Sequence, residues 1–253
     1  MEKTKNLVNF RDLGGLKSAD GRTVRPHKLL RSGELSQITP ADVQFLQAHN
    51  LKYIIDFRSQ HEIAKQPNVK IDGVQSFALD VLQDFTKGNP VNLAQFATMT
   101  SIAEIHAKLE EVYRAFVTTK TAQQCYRQFL VHLAQLDGGI LFHCSAGKDR
   151  TGFAAMLILT ILDVNPADIM ADFIKSSKLR KKQNELLLEN ARKEGQSPET
   201  LEVLGKMLIV QGSYLNAATS TIVSEYGSFD NYVTNILHIT NEQIQTIKNK
   251  YLG

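Results

Sequence analysis

The residues His143-Cys144-Ser145-Ala146-Gly147-Lys148-Asp149-Arg150-Thr151-Gly152 place a thiol and a guanidinium six positions apart. The apolar run Gly139-Ile140-Leu141-Phe142 leads into this stretch and predicts a buried strand. The run from Phe153 to Leu162 leaves it, is apolar on nearly every face, and predicts a buried helix. The stretch is therefore a turn from the C-terminal end of a strand to the N-terminus of a helix. Unpaired backbone N–H groups and the helix dipole make such a turn attractive to anions. The loop can curl so that its N–H groups surround phosphate oxygens, with Arg150 closing the ring through a bidentate fork. Cys144 then lies beneath the phosphorus. The helix end, Arg150 and Lys148 are expected to lower its pKa, as in helix-end thiols depressed to roughly 3.5–7.5. A thiolate under a bound phosphate is a nucleophile for phosphoryl transfer. Ser145, Ala146 and Gly147 are small enough for the backbone to approach the anion closely.

Cys-x5-Arg followed by Thr-Gly and preceded by His resembles the loop of the cysteine-dependent protein tyrosine phosphatases. The fuller Gly147-Lys148-Asp149-Arg150-Thr151-Gly152 is similar to that of the atypical bacterial tyrosine phosphatases. Three upstream segments resemble the same family in the same order: Asn9-Phe10-Arg11-Asp12-Leu13-Gly14-Gly15, Leu30-Arg31-Ser32-Gly33-Glu34-Leu35-Ser36 and Ile55-Asp56-Phe57-Arg58-Ser59. Downstream, Ala171-Asp172-Phe173 and Glu225-Tyr226-Gly227-Ser228 are also similar. The resemblance implies a phosphoric monoester hydrolase with Cys144 as nucleophile. Residues Ser145 to Thr151 would cradle the phosphate, and Arg150 would clamp it. It also implies that the Asn9 segment braces the active-site face, and that a helical lid lies over the site at residues 84–118. Ordinary core-packing helices are the alternative there.

Roles follow for the other polar residues. His143 tunes or braces the loop rather than acting as a base, because a thiolate needs none. Thr151 could bond the thiolate or assist attack on the phospho-cysteine. Lys148 resembles the lysine in the loop of lipid phosphatases, where an ammonium could meet a second phosphate on an inositol ring. The general acid must protonate the leaving oxygen. Asp80 ends a strand and occupies the place where the resembled family has a candidate acid. Asp149 could instead orient water, and Asp84 stands third. Arg58 follows a strand's C-terminal end, where ligands bind in open α/β sheets. It could face the crevice or simply pair with Asp56 or Glu62. Cys125 falls on the apolar face of a helix and reads as a small core residue.

The positioning elements can be read in order. Residues 6–36 look like short strands with turns. Thr39-Pro40-Ala41-Asp42 opens a helix with N-cap, proline and acid in place. Residues 51–57 read as a central strand, and Ser59 to Glu62 as a capping box. Residues 74–79 form the next strand. Apolar stripes predict helices over 101–118 and 121–136. Asn165-Pro166 starts an all-helical remainder, 166–253, with further starts at Ser197, Ser213 and Thr240. Lys178, Arg180, Lys181 and Lys182 read as a solvated helix face rather than a contact with acidic lipid. The expected fold is a single α/β domain, 1–253, with a cysteine-phosphatase-like, parallel-rich central sheet flanked by helices.

Composition narrows the function. The 253 residues carry a net charge of +3, 43% hydrophobic and 22% charged residues, an ordinary globular profile that implies no nucleic-acid partner. Two cysteines give no disulfide framework, and a working thiolate suits a reducing compartment. Residues 1–10 lack an apolar leader core, and no 18-residue apolar run exists to span a membrane. A cytoplasmic location is expected, although a mature chain without its leader would read the same. No histidine and carboxylate cluster has metal-ligand spacing, so neither metal nor cofactor is expected. The partner is a phosphorylated protein or phosphoinositide substrate. A nucleotide-binding Gly-x4-Gly-Lys-Ser/Thr loop is excluded, since position 142 is Phe and Asp149 follows Lys148. A sulfur transferase would also use a loop cysteine, but the Lys148-Asp149-Arg150-Thr151 run favours phosphate. A phosphoinositide- or phosphoprotein-binding pseudophosphatase would ordinarily lack Cys144.

Overall fold

The computed structural model describes residues 6–83 and 101–253, and in it the apolar runs pair into one five-stranded sheet. Its strands are β1 (Arg11–Asp12), β2 (Leu29–Ser32), β3 (Leu51–Asp56), β4 (Gln75–Ala78) and β5 (Gly139–His143), in the order β1-β2-β5-β3-β4. All neighbours are parallel except β1, an antiparallel edge on β2. β5 lies in the middle and every one of its residues is buried. A parallel strand covered on both faces has no polar side to show, which is why its sequence is an unbroken apolar run. Register sets His143 beside Ser32 on one side and Asp56 on the other. These three residues end their strands on one edge, where the chain leaves β5 for its helix.

The two faces of the sheet feed two cores. Leu29, Ile55, Ile140 and Phe142 join the larger one; Leu30, Ile54 and Leu141 join the smaller. This is the alternation of side chains along a strand. The smaller core is covered by α1 (Pro40–Ala48). There the Thr39 hydroxyl accepts from the Asp42 N–H, and the Asp42 carboxylate accepts from the Thr39 N–H. A second capping box, Ser59 with Glu62, opens α2 (Gln60–Lys65).

The larger core takes α3 (Ile102–Thr118), α4 (Lys120–Gln135) and α5 (Arg150–Ile161). On α3 the stripe Ile105, Leu109, Val112, Tyr113 and Phe116 is buried. This helix packs that face on the larger core. The remainder of the expected lid, residues 84–100, lies outside the described residues, as does Asp84. α6 (Pro166–Leu179), α7 (Lys181–Lys193), α8 (Pro198–Met207) and α9 (Gly212–Tyr226) follow. A short turn α10 (Phe229–Asn231), a π-helical stretch (Tyr232–Ile236) and α11 (Asn241–Tyr251) complete the chain. Asn165, Ser197 and Thr240 cap their helices with side-chain oxygens. No helix among the described residues is long and apolar enough to cross a membrane.

α5 is the helix whose N-terminus the loop requires, and its anchor is Phe153. Its ring is wholly buried, 4.7 Å from that of Tyr126 and 6.0 Å from that of Phe116. Phe153→Ala should therefore destabilise the fold by about 3–5 kcal/mol, read from urea unfolding. An unchanged midpoint would contradict this packing.

Candidate active site

Between β5 and α5 the backbone is held by its carbonyl oxygens. Ser145 O accepts from the Glu34 N–H at 3.0 Å. Ala146 O accepts from Arg180 Nη1 at 2.9 Å and from Asn9 Nδ2 at 3.2 Å. Gly147 O accepts from Asn9 Nδ2 at 2.8 Å and Arg31 Nη2 at 2.9 Å. Cys144 O takes a hydrogen bond from His143 Nδ1 at 3.0 Å. None of the N–H groups of residues 145–149 donates to a protein acceptor among the described residues. A peptide plane with its C=O tied outward turns its N–H the other way, so the loop presents donors around Cys144. Gly147 permits this path. Its φ is +66°, and an added Cβ would fall 2.0 Å from Ser32 O, so only glycine fits.

The braces are themselves braced. Asn9 has a left-handed backbone, φ 59°, which asparagine tolerates. Arg11 Nη1 donates to Asn9 Oδ1 at 2.6 Å, and Arg11 Nε donates to Asp172 Oδ1 at 2.6 Å. Arg31 Nη1 donates to Asp172 Oδ2, also at 2.6 Å. One carboxylate on α6 thus balances two buried guanidiniums 161 and 141 positions earlier in the chain. Burial and the neighbouring Arg11 charge pull the Arg31 pKa down to about 10, with Asp172 opposing. Burial would raise the Asp172 pKa, but Arg31 and Arg11 hold it below the usual carboxylate range. The Asn9 segment braces the site, as the resemblance implied. Asp172 gives the Ala171-Asp172-Phe173 similarity its physical meaning.

Arg150 is buried at the start of α5 and gripped by Glu62. Nη1 donates to Oε2 at 2.7 Å and Nη2 to Oε1 at 2.9 Å. The Ser145 hydroxyl also donates to Glu62 Oε1. Burial alone would raise the Glu62 pKa; the Arg150 hydrogen bonds and charge instead hold it far below normal. Glu62 was readable only as a helix cap, and its grip on Arg150 was not anticipated.

Arg58 takes the pairing alternative. It binds Asp56 through Nε and Nη2, Gln66 O through Nη1 and Asn68 through Nη2. It belongs to the buried frame beneath the loop, so it does not face the crevice. Asn68 Nδ2 meets His143 Nε2 at 3.0 Å. Nε2 accepts there while Nδ1 donates to Cys144 O, which fixes the neutral tautomer. Burial lowers the His143 pKa, with Asp56 opposing, in keeping with that neutral form.

Asp149 is held from two sides. Tyr113 OH donates to its Oδ1 at 2.9 Å, and Lys148 Nζ lies 3.0 Å from Oδ2. Both neighbours are donors, so Asp149 serves as an acceptor. Lys148 also donates to Met207 O at 2.8 Å, which directs its ammonium toward the end of α8. Thr151 Oγ1 is buried without a hydrogen-bond partner. Asp80 follows β4, on the same side of the sheet as the loop, and accepts from the Leu82 N–H at 3.0 Å; it makes no described bond to the loop. Cys125 packs against the larger core, as expected. No cluster of three His, Cys, Asp or Glu among the described residues could hold a metal ion.

Removing the shared counter-charge should be severe. Asp172→Asn should destabilise the fold by about 3–5 kcal/mol near pH 7, because two buried guanidiniums lose their partner. The depressed carboxyl pKa gives the pH signature. Its contribution is complete above roughly pH 4, the unfolded-chain value, and fades as pH falls toward the folded value. The wild-type and variant urea midpoints should converge in acid, and a constant difference would contradict the pairing.

The profile of the tyrosine phosphatase family matches residues 3–253. A Cupriavidus necator protein assigned as a tyrosine-protein phosphatase is 34% identical over 253 residues, covering 94% of this chain and 85% of that protein. The triple specificity protein phosphatase PtpB of Mycobacterium tuberculosis is 28% identical over 253 residues, covering 89% of this chain and 90% of that protein. The crystal structure of P. aeruginosa TpbA covers 74% of this chain and 89% of its own at 16% identity and a TM-score of 0.30, and adds nothing to the assignment. With a thiol and an arginine on a loop of converging donors, and a family match over nearly the whole length, the chain belongs to the tyrosine phosphatase family.

Proposed function

We propose that this phosphatase hydrolyses phosphomonoesters through a phospho-cysteine intermediate, with phosphotyrosine as substrate and with phosphoserine, phosphothreonine and phosphoinositides also accepted. The observation that carries the mechanism is the loop in which every carbonyl from Cys144 to Gly147 is tied outward. The N–H groups left over suit phosphate oxygens. Arg31, Arg150 and Arg180 are all buried against this loop, Arg31 on Gly147 O and Arg180 on Ala146 O.

In the first step Cys144 Sγ attacks phosphorus, the bond to the leaving oxygen breaks, and Asp80 gives that oxygen a proton. In the second, water attacks the phospho-cysteine and gives a proton back to the Asp80 carboxylate, the S–P bond breaks with Cys144 leaving as thiolate, and inorganic phosphate departs. Asp149, fixed as an acceptor by Tyr113 and Lys148, orients that water. The breadth of the substrate range is supported by the named specificity of the M. tuberculosis relative. A reducing compartment preserves the thiol, and the cytoplasm is the proposed location.

Cys144→Ser should bind phosphopeptide yet lose roughly 10³-fold or more in kcat, since a hydroxyl without a base is a poor nucleophile. Arg150→Lys should lose about 10²–10³-fold, because a point charge cannot replace a fork. Near-normal p-nitrophenyl phosphate turnover in either variant would overturn the mechanism.

The acid assignment has its own test. An acid matters more as the leaving group worsens. Asp80→Asn should therefore show a defect that grows from p-nitrophenyl phosphate through phosphotyrosine to phosphoserine. Asp149→Asn should show one nearly independent of leaving group, with a burst of product before slow turnover. The reverse pattern would make Asp149 the acid.

A further inference from the structure

Five arginines are buried around the loop, and four have a carboxylate. Arg11 and Arg31 share Asp172, Arg58 holds Asp56, and Arg150 holds Glu62. Arg180, only 5% exposed, has no ion-pair partner among the described residues. Its Nη1 donates to Ala146 O, and its Nε is sealed from solvent with no hydrogen-bond partner. Bracing one carbonyl does not need a guanidinium, and burying its charge without compensation is costly. The run of basic residues from 178 to 182 is thus not uniformly a solvated face.

Arg180 lines a groove of about 640 Å³ that begins at Ser145 and Ala146 of the loop. That is the size of a small-molecule site. Exposed Lys182, the second residue of α7, lines the same groove. The carboxylate there, Glu34, accepts from the Ser36 N–H at 2.6 Å. Gln37, Gln66 and Gln183 also line it. Each amide offers both donors and an acceptor, as hydroxyl groups require. Lys148 does not compete for an anion here, since its ammonium is spent on Met207 O and Asp149.

We propose that this groove is an accessory anion subsite, in which Arg180 and Lys182 hold the second phosphate of a small polyol whose first phosphate enters the Cys144 loop. The proposal rests on reading that loop as a phosphomonoesterase site. It assigns the second charge to Arg180 and not to Lys148. The polyol is met by the three glutamines. The same chemistry is found in a free inositol bisphosphate and in a lipid headgroup, and the groove recognises the headgroup itself.

The test compares kcat/KM for p-nitrophenyl phosphate, a soluble inositol bisphosphate, the same headgroup on phosphatidylcholine vesicles, and a doubly phosphorylated peptide. Arg180→Gln should lower the bisphosphate value, relative to p-nitrophenyl phosphate, by about ten- to a hundred-fold, the worth of a charge-assisted hydrogen bond. Lys182→Ala should lower the same ratio by a few-fold, with the soluble and vesicle arms falling together. Lys182 is exposed, so its variant carries the test if Arg180→Gln fails to fold. Equal losses on p-nitrophenyl phosphate and the bisphosphate would overturn the subsite and leave Arg180 a loop brace. A loss confined to vesicles, or to the peptide, would also overturn it. Should wild-type protein fail to hydrolyse p-nitrophenyl phosphate, the enzymatic reading falls alone. Calorimetric binding of inositol bisphosphate, weakened in Lys182→Ala, would still support the groove, and unweakened or absent binding would sink it.

Discussion

The structure depends on hydrogen bonds to carbonyl oxygens that precede the helix. Loop backbone left to itself would turn some carbonyls toward its own centre, where they would repel an anion. Here Asn9, Arg31 and Arg180 hold the Ala146 and Gly147 carbonyls from outside. The Glu34 N–H and the His143 ring hold the two before them. Donors outside enforce donors inside. The helix dipole of α5 adds partial positive charge at the same place. The contacts that create the cradle are made from behind it, by side chains of distant elements.

Such bracing brings several guanidiniums into a region with little water. The fold answers with carboxylates from distant elements. Asp172 comes from α6, Glu62 from α2, and Asp56 from the end of β3. Glu62 also closes the capping box with Ser59. The central place of β5 makes this convergence feasible. Its neighbours β2 and β3 end level with it, so residues just beyond three strands reach one loop. Phe57, past β3, accepts from Arg150 Nη1 through its carbonyl.

Local signals were legible wherever the physics is local. Thr39, Ser59, Asn165, Ser197 and Thr240 cap helices by bonding backbone two or three residues away, so a short window reveals them. The apolar runs of β5 and α5 and the stripe on α3 report burial directly. The thiol and arginine of the loop are six residues apart, close enough to read together. What escaped was pairing across the chain. Nothing near Asp172 says that it meets Arg11 and Arg31, and nothing in the apolar stripe says that Tyr113 reaches Asp149. Arg180 was hidden by its company, since only one member of a basic run turns inward. For Arg58 the sequence offers two carboxylate partners and the crevice, and the structure pairs it with Asp56.

Glu62 on Arg150 raises an apparent conflict, because the proposed phosphate clamp already has an anion. The geometry of the guanidinium resolves it. The group has five N–H bonds arranged on two usable edges. Glu62 takes the end-on edge, one oxygen to each terminal nitrogen. The second N–H of Nη1 goes to Phe57 O at 3.2 Å. What remains is the side-on edge: Nε, without a partner among the described residues, and the second N–H of Nη2, which has only a long 3.4 Å contact with Ser145 Oγ. That edge is a parallel pair of donors matched to two phosphate oxygens. Glu62 therefore leaves that edge open. By fixing the opposite edge, it restricts rotation of the guanidinium and presents the free edge in one orientation, while the Ser145 hydroxyl stays on Glu62 and out of the cradle. A carboxylate that would repel a dianion at contact distance is thereby kept behind the arginine, where its charge serves to hold a donor in place.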